Sequence, residues 1–238
     1  HRTSVAMMAA EILGLQAEDI RIGTAGTDSI AFSALTAGSS TTYKTGLAAI
    51  GAAEEINRQM TERAAKIWET TADNVEIVDG VFHHKADSSL KMTFKELAGQ
   101  LLSTGGAIVA SYQNSRAGGG DTFTTHVVDL EVDPETGKVE ILRYTAVHDV
   151  GQAIHPSYVE GQIQGGVAQG IGWALNEEYF YNDQGIMTNA SLLDYRMPTS
   201  LDLPMLDTIL VEVPNPTHPF GVRGIGEPPI IPPPAAIA

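Results

Sequence analysis

Apolar residues recur at helical spacing in three parts of the chain. The first pattern runs from Val5 to Ile12 and stops before Gly14, a residue type that commonly ends helices. A longer pattern predicts a helix over residues 42–68, and a third predicts a helix over residues 157–177. The apolar side of each helix is expected to face the core.

Short apolar segments between these helices predict strands. Residues 75–78 and 81–84 are joined through Asp79-Gly80, a pair that is typical of tight hairpins. Residues 126–132 alternate between apolar and polar, and residues 139–147 return as the partner strand. Three further strands are predicted over residues 20–22, 108–112 and 209–213.

Two more helix signals complete the pattern. Thr93 and Glu96 have the spacing of a capping box, which predicts a short helix through Leu102. The last four residues read as the first turn of another helix. Because the strands are linked by hairpins and do not alternate strictly with helices, we predict an α+β fold with mixed sheets packed against helices. The glycine-rich segment 113–121 divides the chain into two predicted halves, residues 1–112 and 121–238.

Composition excludes several classes of function. The formal net charge of −15 argues against nucleic acid or an anionic membrane as a partner, because phosphate binding needs a basic surface. The chain has no cysteine, so its own residues form no disulfide, iron–sulfur ligand or catalytic thiol. No run of about 18 uncharged apolar residues occurs, and the first residues lack a signal-peptide pattern, so we expect a cytoplasmic protein without a membrane span.

The first segment whose residues could bind a ligand is a hydroxyl-rich loop ahead of the long helix. Gly38, Ser39, Ser40, Thr41 and Thr42 combine small size with hydroxyl donors at a predicted helix N-terminus. This pattern suits a phosphate or anion, although an ordinary Ser/Thr helix cap has the same sequence. A Walker lysine and a GxGxxG pattern are both missing, which disfavours a P-loop or a Rossmann site.

The predicted helix over residues 157–177 is unusual because it carries five glycines, each of which costs about 1 kcal/mol relative to alanine. They are Gly161, Gly165, Gly166, Gly170 and Gly172. Two explanations remain open. Either another segment packs tightly on this helix, or the missing side chains admit a bulky ligand that a glutamine amide can bind.

A third segment presents one carboxylate on a stiff loop. Residues 221–229 read Gly-Val-Arg-Gly-Ile-Gly-Glu-Pro-Pro, so glycines thin the backbone before Glu227 and two prolines stiffen it afterwards. A carboxylate held in this way suits a general base, and a surface glutamate in a turn is the simpler alternative. By contrast, His148, His155 and His218 are too scattered to form a recognisable metal motif.

Taken in order, these three segments resemble the C-terminal part of the molybdenum-binding subunit of the xanthine dehydrogenase/aldehyde oxidase family. The similarity covers nearly the whole chain. Gly26-Thr27-Asp28 is similar to the family's segment ahead of the serine/threonine loop. Asp149-Val150-Gly151, Pro156 and residues 162–172 are similar to the family's DVG…P…GQxxG…QGxG stretch. Residues 224–229 resemble its GxGEPP signature, and the three motifs together are much more specific than any one of them.

The resemblance implies a role for each matching position. Glu227 matches the family's active-site glutamate, which takes the proton from a molybdenum-bound hydroxyl as that oxygen attacks an electrophilic C–H carbon. Gln169 matches the glutamine near the molybdenum oxo group. The loop residues that would hold the pterin and its phosphate are Gly38, Ser39, Ser40, Thr41 and Thr42. In this family the pterin dithiolene holds the metal, so no side chain of this chain is expected to ligate it.

The implied function is hydroxylation, with water, of a purine, another N-heterocycle or an aldehyde. The cofactor would be molybdopterin with molybdenum, in a mononucleotide or cytosine dinucleotide form. Iron–sulfur centres and FAD would lie on other domains or subunits of a larger hetero-oligomer. The family's subunit is roughly three times longer, so we expect the isolated chain to be catalytically inactive.

Two alternatives to this hydroxylase remain. One is a binding or assembly module that keeps the fold without the chemistry. The other is an unrelated soluble enzyme with a phosphate-binding loop and a carboxylate base. One departure from the family pattern is also visible, since His155-Pro156 stands where the family usually has Asn-Pro.

Overall fold

A computed structural model of the 238-residue chain describes residues 1–26, 28–30, 32–33, 35–114 and 120–238. Thr27, which belongs to the first motif, and residues 115–119, in the middle of the predicted boundary segment, lie outside the described residues. The chain forms two compact units. The first comprises His1–Leu35 and Thr41–Ala117, and the second comprises Thr36–Ser40 and Gly118–Ala238.

Two helices form one side of the first unit. Helix α1 (Arg2–Leu13) ends as predicted at Gly14, whose φ of 66° is a left-handed conformation that glycine adopts without strain. Helix α2 (Thr41–Ile67) confirms the long predicted helix and packs against α1. Its buried apolar side chains include Leu47, Ile50, Ala53, Met60 and Ala64. None of the described helices is both long enough and apolar enough to cross a membrane.

The first sheet contains the predicted hairpin and one additional strand. Strands β1 (Val75–Val78) and β2 (Val81–His84) are antiparallel and join through Asp79 and Gly80, which have φ values of 48° and 72°. These positive values match the tight turn that the Asp-Gly pair predicts. Strand β3 (Asp87–Thr93) pairs with β2 and was not predicted, because its sequence DSSLKMT is mostly polar.

The predicted capping box is present at the end of β3. The Thr93 hydroxyl accepts a hydrogen bond from the Glu96 backbone N–H at 3.2 Å, and the Glu96 carboxylate accepts one from the Thr93 N–H at 2.8 Å. Helix α3 (Phe94–Gly99) therefore starts where the sequence predicts. A second short helix, α4 (Leu101–Thr104), follows it, so the predicted single helix is interrupted at Gln100.

The strand predicted over residues 20–22 is wrong. A 3-10 turn (Ala17–Asp19) ends there, and the Ile20 N–H bonds back to the Ala17 carbonyl at 3.2 Å. Ile20 is extended, with φ −97° and ψ 111°, but residues 20–22 pair with no strand. Extended residues without a ladder partner do not form a strand.

The strand predicted over residues 108–112 is also wrong. This segment lies along α2 instead of joining a sheet. The Gln59 amide donates a hydrogen bond to the Val109 carbonyl at 3.2 Å. The Tyr112 ring lies over Gly51, where an added Cβ would be 2.5 Å from the ring. Tyr112 therefore covers a helix, which periodicity alone does not distinguish from strand pairing.

The second unit is built on a mixed sheet. Strand β4 (Thr124–Val132) pairs antiparallel with β5 (Val139–Asp149), and β5 pairs in parallel with β6 (Leu206–Val211). Helix α5 (Pro156–Leu175) contributes to the core beside this sheet. The core includes Tyr144, Ala146, Ile163, Val167 and Ile171. Together with the first sheet, this arrangement confirms the predicted α+β class.

The chain ends in a proline-rich segment that packs against α5. A 3-10 turn (Pro228–Ile230) and helix α6 (Pro232–Ile237) both contact α5, and α6 confirms the predicted final helical turn. An added Cβ at Gly166 would lie 2.6 Å from Cβ of Pro229. At Gly170 it would lie 2.6 Å from Cγ of Pro233. These two glycines are therefore required for close packing.

Other glycines of α5 have a different environment. Around Gly161 and Gly165, no neighbouring atom of the described residues lies within 4 Å of the position of an added Cβ. Both residues are exposed. The two explanations of the glycine-rich helix thus apply to different glycines. Tight packing accounts for Gly166, Gly170 and Gly172, and an open face remains at Gly161 and Gly165.

A hydrogen-bonded histidine pair joins β4 and β5. His126 Nε2 lies 2.8 Å from His148 Nε2, and His126 Nδ1 lies 2.8 Å from the Tyr144 hydroxyl. The Thr124 hydroxyl lies 2.9 Å from His148 Nε2. Burial lowers the pKa of His148 to about 4, and burial together with the neighbouring His148 charge lowers that of His126 to about 4. Burial also raises the pKa of Tyr144.

Alanine substitutions in α5 test the division of its glycines. Gly166→Ala and Gly170→Ala should each lower the free energy of unfolding by about 1–3 kcal/mol, because the new methyl group overlaps a proline ring. Gly161→Ala and Gly165→Ala are the matched controls. They should raise it by up to about 1 kcal/mol, because alanine favours the helix and meets no neighbour. Urea unfolding followed by circular dichroism measures all four, and equal effects would contradict this division.

The histidine pair should make stability depend on pH. The unfolded chain takes up protons at these histidines near pH 6.5, whereas the folded chain does so near pH 4. The free energy of unfolding should therefore be highest above pH 6.5 and fall as the pH is lowered from 6.5 to 4. In that range the unfolded chain binds between one and two more protons than the folded chain, and this difference sets the slope. The His126→Gln/His148→Gln variant should lose this slope. Thr124→Val keeps both histidines and should retain the pH dependence. Urea unfolding at a series of pH values measures the free energy of unfolding of each variant.

Candidate functional site

The loop that carries Glu227 is anchored to the second unit at Arg223. The Arg223 guanidinium forms a largely buried ion pair with Asp149 at 3.2 Å and donates a hydrogen bond to the Val213 carbonyl at 3.0 Å. It also donates to the Asp121 carbonyl. A largely buried arginine with several partners fixes the backbone more firmly than an exposed ion pair would.

The next residue, Gly224, brings this loop against a second backbone segment. An added Cβ at Gly224 would lie 2.7 Å from the Ser39 carbonyl oxygen and 2.9 Å from Ser39 Cβ. The Thr122 hydroxyl donates a hydrogen bond to the Gly224 carbonyl at 2.8 Å. Only glycine allows this approach, so the glycine spacing that the sequence shows before Glu227 has a direct packing cause.

The Glu227 side chain meets the hydroxyl-rich loop at Ser39. The Ser39 hydroxyl donates to Oε2 of Glu227 at 2.8 Å and accepts from the Glu227 backbone N–H, also at 2.8 Å. Ser39 has a φ of 53°, a left-handed conformation that costs a non-glycine residue about 1–3 kcal/mol. Gly38, with φ 62°, precedes it. Two residues that the sequence predicts in separate segments are thus in contact.

The other hydroxyl residues of the predicted loop lie in different surroundings. Ser40 is buried, and its hydroxyl donates to the Ala37 carbonyl at 2.8 Å, so it stabilises the turn ahead of α2. Thr41 and Thr42 are the first residues of α2 in the other unit, and both are partly buried. Their predicted role in holding a phosphate stays a prediction.

Gln169 lies on the open face of α5. Helical geometry places Gly161, Gln162, Gly165 and Gln169 within about 100° of one another around the helix axis, and all four are exposed. Gln162 is near the carboxylate loop, since its Nε2 lies 3.8 Å from the position of an added Cβ at Gly226. Among the described residues, no hydrogen bond joins Gln169 to that loop. Gln162 is thus one glutamine beside the loop, and the predicted role of Gln169 stays a prediction.

His155 precedes the first residue of α5, where the resembled family usually has asparagine. Its ring stacks on the Tyr158 ring with centroids 3.8 Å apart and planes 8° from parallel. Its Nδ1 lies 3.2 Å from the Ser157 hydroxyl. Within the described ranges, no group of three or more His, Cys, Asp or Glu side chains has a geometry that could hold a metal ion.

Sequence reasoning did not identify the ion pair of Arg223 with Asp149 or the placement of Gln162. Arg223 lies within the glutamate loop segment of residues 221–229, and Asp149 lies in the Asp-Val-Gly motif. Both residues therefore belong to motifs that the sequence analysis identifies. No local pattern indicated that they would pair, because 74 positions separate them along the chain. Position in a motif thus indicated importance without indicating the partner.

The arrangement can accept a proton from a bound molecule. The Glu227 carboxylate is exposed, its backbone is anchored on both sides, and its Oε2 is already bonded to a hydroxyl. The adjoining face of α5 offers neutral amides and no bulky side chain at Gly161 and Gly165. A polar ligand with several hydrogen-bonding groups would fit this chemistry.

A family model and several curated relatives match most of this chain. A family model described as "Molybdopterin cofactor-binding domain" matches residues 1–204. The xanthine dehydrogenase molybdenum-binding subunit of Escherichia coli O157:H7 is 36% identical over 99% of the chain and 32% of its own length. The nicotine 6-hydroxylase large subunit of Paenarthrobacter nicotinovorans is 30% identical over 100% of the chain and 30% of its own length.

Solved structures give the same result. The fold matches CO dehydrogenase from Oligotropha carboxidovorans with a TM-score of 0.87 and 29% identity, covering 99% of this chain and 30% of that chain. It matches quinoline 2-oxidoreductase from Pseudomonas putida 86 with a TM-score of 0.85 and 31% identity, covering 100% and 31%. This chain thus spans about a third of the length of the curated relatives named above. It belongs to the molybdopterin cofactor-binding domain family found in molybdenum-binding subunits of the xanthine dehydrogenase type.

Proposed function

We propose that this chain carries the catalytic base of a molybdenum hydroxylase, and that Glu227 is that base. The observation that supports the proposal most directly is the two-point contact of Ser39 with Glu227 on an anchored loop. A surface glutamate in an ordinary turn needs neither a buried arginine anchor behind it nor a hydroxyl partner from 188 positions away. Exposure leaves the carboxylate accessible to a substrate.

The residues of the second unit fit molybdopterin chemically. The pterin is a flat, polar ring system with amide and amine groups, and its phosphate is anionic. The exposed face of α5 supplies neutral amides at Gln162 and Gln169. In the part of the chain that the structure describes, no neighbouring atom lies close to the positions that side chains at Gly161 and Gly165 would occupy. We assign the amide of Gln169 and the loop residues Gly38, Ser40, Thr41 and Thr42 to cofactor binding, as the family resemblance implies, and treat Ser39 separately below.

The proposed reaction is R–H + H2O → R–OH + 2 H⁺ + 2 e⁻, on an electrophilic carbon of an N-heterocycle or an aldehyde. When bound, the molybdenum cofactor supplies the transferred oxygen and accepts the two electrons. Glu227 takes one proton from the attacking oxygen, which makes that oxygen a better nucleophile. The electrons would leave through iron–sulfur and flavin groups on other domains or subunits, because this chain has no cysteine to hold a cluster.

Names of the relatives support this class of chemistry without fixing the substrate. One is a xanthine dehydrogenase subunit and another a nicotine 6-hydroxylase subunit, and a matching structure is a quinoline 2-oxidoreductase. Each of these names refers to an N-heterocycle. A panel of purines, pyridines, quinolines and aldehydes, assayed on the large subunit containing these residues with an artificial electron acceptor, identifies the substrate. A binding or assembly module would contain no molybdenum and would oxidise none of them.

Replacement of the proposed base tests its role. Glu227→Gln should lower kcat by about a hundredfold or more, because the amide cannot accept the proton, while molybdenum and pterin content stay unchanged. Glu178→Gln is the matched control. Glu178 is an exposed glutamate of the same unit, and its variant should keep wild-type kcat. Steady-state kinetics and metal analysis measure both effects. Full activity in Glu227→Gln would refute the assignment of the base.

A further inference from the structure

We propose that Ser39 is a positioning residue for the Glu227 carboxylate, and that its hydroxyl does not serve as a cofactor ligand. The inference rests on the proposed function of Glu227 as base. It differs from the role that family resemblance implies for Ser39, which is a place in the cofactor-binding loop. The reason for the different assignment is the direction of the hydroxyl hydrogen bonds.

The Ser39 hydroxyl is occupied as both donor and acceptor. It donates to Oε2 of Glu227 and accepts from the Glu227 N–H, each at 2.8 Å. A hydroxyl has a single hydrogen to donate, so Ser39 has no donor left for a phosphate or a pterin oxygen while this contact exists. The same contact fixes one carboxylate oxygen relative to its own backbone and leaves Oε1 available for a proton.

The backbone conformation of Ser39 indicates that a serine side chain is required at this position. Its φ of 53° lies in the region that favours glycine, yet the position carries a Cβ and a hydroxyl. The Gly224 backbone packs directly against Ser39, which holds the strained conformation in place. Strain of this kind persists where neighbouring structure enforces it, and here the enforced geometry directs the hydroxyl to the carboxylate.

Positioning matters because the Glu227 side chain is exposed. An unrestrained glutamate rotates about three side-chain torsions, and only some rotamers would point at a bound substrate. The Ser39 hydroxyl selects one arrangement before the substrate binds. Such pre-ordering should raise kcat and leave substrate affinity almost unchanged, since Ser39 itself touches no substrate.

Two substitutions at Ser39 separate the effect of its hydroxyl from the effect of its strained backbone conformation. Ser39→Ala removes the hydroxyl and keeps Cβ, whereas Ser39→Gly removes both and also relieves the left-handed strain. Each should lower kcat by about tenfold or more, as expected for a lost hydrogen bond to a charged group, with KM changed by less than about twofold. Neither should lower kcat further when combined with Glu227→Gln, because the variants act on the same step.

A matched control is available in the same unit. The Ser191 hydroxyl donates to the Asp194 carboxylate at 2.6 Å, so Ser191→Ala removes a serine–carboxylate hydrogen bond elsewhere. Its kcat should equal that of the wild type. Molybdenum and pterin content, measured on every variant, give a readout that does not depend on activity and should be unchanged in both Ser39 variants.

The outcomes distinguish failure of this inference from failure of the proposed function. If Ser39→Ala loses molybdenum in proportion to activity, Ser39 is a cofactor ligand and the inference is overturned. If kcat is unchanged while Glu227→Gln is inactive, positioning by Ser39 is overturned and the base assignment stands. If Glu227→Gln itself remains active, the proposed function fails, and the positioning role fails with it.

Discussion

Close packing of the proline-rich segment on α5 is the contact on which the candidate site depends. Pro229 and Pro233 lie where side chains at Gly166 and Gly170 would otherwise be, so the chain immediately after Glu227 has a fixed seat on the helix. The chain before Glu227 is fixed by Arg223 through its buried ion pair. The carboxylate is thereby held between two rigid anchors that lie four residues before it and two residues after it. Without the glycines in α5, the second anchor would be lost.

Local signals in the sequence predicted most of the fold correctly. The Asp79-Gly80 hairpin and the capping box at Thr93 each depend on a few neighbouring residues, and the structure confirms both. Failures occurred where a segment's state depends on what lies beside it. Residues 108–112 are apolar enough for a strand, but they lie along α2. Strand β3 is mostly polar and becomes a strand only because β2 offers an edge to pair with.

The segments that form the candidate site could be predicted from the sequence, but the contacts between their residues could not. The sequence indicated the hydroxyl-rich loop, the glycine-rich helix and the stiff glutamate loop, and the structure brings Ser39 of the first to Glu227 of the third. Which hydroxyl would make the contact was not predictable. Ser39 and Ser40 are identical in type and adjacent, yet one bonds Glu227 and the other bonds the Ala37 carbonyl. The left-handed φ of Ser39 decides this, and backbone conformation at a single serine has no sequence signature.

A base on this loop has to satisfy two opposing demands. It must be exposed, because a substrate has to reach it, and exposure normally leaves a glutamate free to rotate. It must also be ordered, because proton transfer needs a short and directed contact. Burying the carboxylate would order it at the expense of access. Here Glu227 is ordered without being buried. Its backbone is held by glycine–proline packing and by the Arg223 ion pair, and one of its carboxylate oxygens is held by Ser39. The strain at Ser39 is the energetic cost of keeping an exposed carboxylate in one place.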